Sequence, residues 1–103
     1  MNPIRLPTFA ASPTRRANLP ELSRFFGIVV RMRYNDHGPP HIHVQYGEHR
    51  AVIEIHTGLV TGSLPPRALG MALEWTRLRR HQLAEAWDLA RRKLPLEPVE
   101  PLE

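Results

Sequence analysis

Hydrophobic residues alternate strictly along residues 26–34. Phe26, Ile28, Val30, Met32 and Tyr34 are interleaved with Gly27, Val29, Arg31 and Arg33. A period of two predicts a half-buried β-strand with its arginines on the open side. The alternation resumes at Ile42, Val44 and Tyr46 and again at Ala51, Ile53 and Ile55, predicting strands over about residues 41–46 and 49–56. Gly47 and Glu48 between them suit a two-residue type II′ hairpin turn. That turn sets the register: Tyr46 faces His49, Val44 faces Ala51 and Ile42 faces Ile53, all on one apolar side. Thr57 and Gly58 form another turn, and residues 59–64 read as a short edge strand. Pro65 and Pro66 then stop the sheet and open a helix. Ala68, Ala72 and Trp75, followed by Leu83, Trp87, Ala90 and Leu94, keep helical spacing. A single helix of that length would be unusual in so small a domain, so two helices meeting near Arg79, Arg80 and His81 are expected. The predicted fold is α+β, a small antiparallel sheet of three to four strands with two C-terminal helices packed on one face.

The flanks differ in pattern from this block. Residues 1–22 carry four prolines and three arginines without periodicity, and read as a flexible basic extension. Residues 23–94 form the single predicted domain. Residues 95–103 place proline at every third position, with Glu97, Glu100 and Glu103 in register, as in a polyproline tail.

A chain of 103 residues supports one modest core. Lys+Arg is 14 against Asp+Glu 10, a formal charge of +4, and thirteen of the basic residues are arginine. The balance favours an anionic partner such as nucleic acid or an acidic protein; the alternative is a merely solvated, arginine-rich surface. The absence of cysteine excludes disulfides, thiol nucleophiles and cysteine zinc sites. No apolar run approaches a membrane span and no signal-like segment opens the chain, so a cytoplasmic location without membrane association is expected.

Three of the six histidines fall between residues 37 and 43, around Gly38, Pro39 and Pro40. Strand parity places His41 and His43 on the polar face with Gln45, opposite Glu54, Val52 and Arg50 respectively. If the first strand is adjacent, Arg33 lies near His41 and Arg31 near His43. Histidine transfers protons near neutrality, and a carboxylate such as Glu54 can orient it. Arginine forks match phosphate oxygens. A metal-independent ribonuclease centre of His41, His43, Glu54, Arg31 and Arg33 fits these residue types. A solvated polar face without catalysis fits them as well. Arg50, with Arg77, Arg79 and Arg80 on the helices, would contact nucleic acid. No cofactor is expected on this reading. Its rival is a zinc or iron site in which His41 and His43 are joined by His37 or Asp36.

Residues 23–44, with the intact run Asp36, His37, Gly38, Pro39, Pro40, His41, Ile42 and His43, closely resemble an uncharacterised bacterial domain-of-unknown-function family, number 4160. The blocks around Leu64, Pro65 and Pro66, around Leu73, Glu74 and Trp75, and around Trp87 are similar too. Genes of that family often adjoin a second small family, number 2442, in an arrangement resembling toxin–antitoxin pairs. The resemblance implies a toxin-like role and a small antitoxin-like protein partner. Three functions follow: an RNA-cleaving or RNA-binding toxin component, a non-enzymatic basic module binding an acidic protein or nucleic acid, and a His-ligated metal protein.

Overall fold

A computed structural model describes residues 19–103 of the protein. Five strands precede two helices: β1 (Glu21–Phe25), β2 (Ile28–Arg31), β3 (His41–Tyr46), β4 (His49–Glu54), β5 (Val60–Ser63), α1 (Pro66–Leu78) and α2 (Arg80–Arg91). The strands form one antiparallel meander in chain order. The class is α+β as expected, with five strands where the pattern predicted three to four.

The additional strand is β1, and the reason it was missed is local. A register shift between Glu21 and Ser23 breaks the alternation, so Leu22, Ser23 and Phe25 are all buried. A bulge of this kind places two residues against one and erases the period-two signature. The long strand expected over residues 26–34 is shorter, because Phe26 and Gly27 form the β1–β2 turn, both with positive φ. Order therefore begins before Ser23. Glu21 and Leu22, assigned by pattern to the basic extension, lie in β1; residues 1–18 of that extension lie outside the described residues.

The β3–β4 hairpin has the expected register throughout, from Tyr46 opposite His49 to His41 opposite Glu54. Gly47 occupies the turn at φ 59°, which a type II′ turn requires of its first central residue. Parity sorts the sheet into two faces. Ile28, Val30, Ile42, Val44, Ala51 and Ile53 are buried on one, in a single cluster with Ala68, Ala72, Trp75, Leu83, Ala86, Trp87 and Ala90 of the helices.

The two helices separate at Arg79, where the pattern placed the break. Residues 95–103, expected to be a tail, instead strap the domain. Leu96, Val99 and Leu102 pack against the core while the glutamates stay exposed. The amide of Val99 donates to the Leu22 carbonyl at 2.8 Å, and the Glu100 carbonyl accepts from Trp75 Nε1 at 2.7 Å. A threefold extended chain has no internal hydrogen bonds, so its backbone groups are free for such partners.

Candidate functional site: an Asp-His-His centre beside an arginine-lined groove

The site lies where the loop of residues 32–40 returns to the start of β3. Two backbone bonds pin this loop: the Asn35 amide to the Ala90 carbonyl at 3.1 Å, and the Ile55 amide to the Pro40 carbonyl at 3.0 Å. Asp36 Oδ1 accepts the amide of His37 at 2.8 Å. Its Oδ2 contacts His41 Nε2 at 2.9 Å and lies 3.6 Å from His43 Nε2, with Arg33 Nε at 3.9 Å. The other nitrogen of His41, Nδ1, is 2.9 Å from the Pro39 carbonyl. The His41 ring is wedged between those of His43 and Trp87, at centroid separations of 5.2 and 5.1 Å.

Both hydrogen-bond partners of His41 are oxygen acceptors. A neutral imidazole has one N–H, so it can donate to the carbonyl or to the carboxylate but not to both. The cluster is complete only when a positive species, a second proton or a cation, stands between Nε2 and Oδ2.

His43 Nε2 is buried and lacks a hydrogen-bond partner, the 3.6 Å to Asp36 being beyond bonding range. Burial, then the adjacent His41, hold the His43 imidazole below its ordinary value of 6.5, against the pull of Asp36. For Asp36 burial is the largest influence and raises its value. The His37 amide and the two rings together outweigh it, leaving the carboxyl below its ordinary 3.8.

Beyond His43 the open face forms a groove of about 500 Å³, whose lining includes Arg31, Arg33, His43, Arg50, Val52 and Leu19. Arg31 lies opposite His43 in the β2–β3 register and donates through Nη1 to Gln45 Oε1 at 3.1 Å. Parity reasoning thus placed Arg31, Arg33, His43, Gln45 and Arg50 correctly on one surface.

Several expected roles go elsewhere. Glu54 is the cross-strand neighbour of His41, yet its carboxylate accepts the Thr57 hydroxyl at 2.9 Å, and both His41 nitrogens are engaged by others. Asp36 is the carboxylate that orients His41. His37 contributes its backbone amide, and its side chain stays outside the cluster, so Asp36 takes the place of His37 in the three-residue set. Arg79 and Arg80 are used in the fold: Arg79 Nε donates to the Glu100 carbonyl at 3.0 Å and Arg80 Nε to the Ile55 carbonyl at 2.9 Å. Arg77 is exposed in the last turn of α1, away from the groove. Asp36 was visible in sequence as an alternative to His37 in the metal set, but not as the carboxylate that orients His41. Its position five residues before His41, across two prolines, was the signal that it folds back.

A family model described as a domain of unknown function, DUF4160, matches residues 27–88. The chain belongs to this family. No curated protein and no solved structure matches it. The matched segment begins in the β1–β2 turn and contains the whole Asp36–His43 loop, β2 to β5, α1 and most of α2. Among the described residues no helix is long and apolar enough to cross a membrane.

Proposed function

We propose that this family member binds RNA in the open-face groove and acts on it at the adjoining Asp36, His41 and His43, as the RNA-directed component of a cytoplasmic toxin module with a small protein partner. The observation carrying this reading is that Arg31, Arg33 and Arg50 line the same groove as His43. Three planar guanidinium groups around one cleft suit successive phosphates, and each keeps donors beyond those used inside the protein. Val52 and Leu19 add an apolar surface for a base or ribose. A phosphodiester in the groove would lie beside His43, the one groove-lining imidazole, which burial holds toward its neutral, proton-accepting form. The reaction this set supports is in-line attack by a ribose 2′-hydroxyl on phosphorus, its proton passing to His43. The P–O5′ bond breaks, the departing 5′-oxygen takes a proton from a second group or water, and arginine neutralises the developing charge.

The test is fluorescence anisotropy of single-stranded RNA with purified protein. Arg31→Gln, Arg33→Gln and Arg50→Gln should each weaken binding, whereas Arg77→Gln should leave it unchanged. Equal losses in all four variants would reduce the groove to general basic charge and overturn the reading. In parallel, denaturing gels of the bound RNA should show cleavage that is lost in His43→Ala.

A further inference from the structure

We propose that Asp36 Oδ2, His41 Nε2 and His43 Nε2 form a binding site for one divalent transition-metal ion, with zinc as its simplest occupant. Three features of the cluster converge on this.

The first is the donor set. Two imidazoles and one carboxylate are standard ligands for zinc, and for iron(II) when arranged on one face of the ion. The three ligand atoms lie within 4.8 Å of one another. Atoms bound tetrahedrally at 2.0–2.2 Å from zinc stand roughly 3.3 Å apart. The observed separations from Asp36 Oδ2, 2.9 Å to His41 and 3.6 Å to His43, straddle that value. For these two pairs, binding requires adjustments of only a few tenths of an ångström.

The second is the surrounding shell. Ligating histidines characteristically donate their remote N–H to a carbonyl or carboxylate, which sets the tautomer and aims the lone pair at the metal. The Nδ1 of His41 has such a partner in the Pro39 carbonyl, directing its Nε2 lone pair at the cluster. The same bond leaves a lone pair facing the Asp36 carboxylate, and a cation between them resolves the contact. Asp36 is itself oriented by the His37 amide.

The third is His43 Nε2, a buried nitrogen without a partner. Unpaired buried polar atoms are uncommon in folded proteins, and an absent ion is one of their ordinary explanations. A metal ion would pair it and the second nitrogen of His41 together.

The surrounding charges allow it. Arg31 is directed to Gln45. Arg33 stands 3.9 Å from Asp36 with its side chain half exposed, where solvent weakens but does not remove its opposition to a dication. Three protein ligands leave at least one coordination position for water or a substrate oxygen, the arrangement of catalytic zinc sites. The site shares Asp36, His41 and His43 with the reaction centre proposed above, but its occupancy is testable without RNA, whose affinity is assigned to the arginines of the groove.

Titration of tag-free, chelator-treated protein with Co²⁺ and Zn²⁺ tests the assignment. One Co²⁺ per chain should bind and give visible d–d absorption of a low-coordinate site, and one equivalent of Zn²⁺ should bleach it. Loss of a supporting residue around a metal typically costs about 10–100-fold in affinity, so removing a ligand in Asp36→Asn or His43→Gln should cost more than about a hundredfold. His37→Ala should bind as the parent does, because the amide that His37 gives Asp36 is retained. Absence of the Co²⁺ spectrum in the parent protein would overturn the site, as would equal affinity in Asp36→Asn and His37→Ala. Thermal unfolding of each variant identifies any that fail to fold. In that event the parent Co²⁺ spectrum, an observation needing no substitution, decides. Arg31→Gln losing RNA while keeping Co²⁺ would uphold the metal site independently of RNA.

Discussion

Asp36, His41 and His43 perturb one another because a short loop forces them together in a partly buried space. Linkage gives this a measurable consequence in the metal-free protein. Both Asp36 and His43 titrate below their ordinary values when folded. The unfolded chain therefore binds more protons than the folded one just below those values, and stability must fall as pH falls. For His43 the loss begins below 6.5 and for Asp36 below 3.8, each running down through the folded value. Urea unfolding across pH should show both stages, with the more acidic one reduced in Asp36→Asn, Glu21 supplying what remains. Parallel acid limbs for parent and variant would contradict it. At this scale strand parity made most of the open face legible in the sequence. It could not supply Asp36, since loop residues have no periodicity and their reach depends on how the loop closes.

Among the elements, the β3–β4 hairpin was readable because a two-residue turn and a one-sided apolar pattern admit one register; a slip by one residue would turn Ile42, Val44 and Ile53 to solvent. The neighbouring β5 carries a tighter constraint. Gly62 has φ 100°, and a Cβ there would stand 2.6 Å from the Arg50 carbonyl oxygen and 2.9 Å from Ala51 Cα. Gly62→Ala should destabilise the protein by about 2 kcal/mol or more, combining backbone strain with displacement of β4; chemical denaturation measures it. β1 escaped detection because its bulge interrupts the period. The C-terminal strap escaped because its prolines and glutamates attracted notice while Leu96, Val99 and Leu102 repeat at the same interval of three. Truncation before Glu97 removes the buried Val99 and the bonds to Trp75 and Arg79. It should cost about 2–4 kcal/mol in urea unfolding. An unchanged midpoint would show the strap to be incidental.

On the scale of the whole molecule, the positive charge is divided by the fold. Arg79 and Arg80 hold the strap and the end of β4, and Arg24 and Arg92 pair with neighbouring carboxylates. Arg31, Arg33 and Arg50 remain around the groove. Binding of single-stranded RNA should accordingly depend on salt as a three-phosphate contact does, with a logarithmic slope of about −2 at 0.7 per phosphate. Each single arginine-to-glutamine change in the groove should lower that slope by about 0.7. A slope matching the total arginine content would place binding outside the groove.

The alternation, the proline stops and the helical spacing were enough to determine the α+β class, the β3–β4 register and the break between helices. These are consequences of local geometry, in which each residue's side is set by its neighbours in the chain. Which carboxylate meets His41, which arginines stay free and what covers Trp75 were decided by tertiary structure. Those contacts join residues that no period relates, and their distances exist only once the loop and the strap have closed on the core.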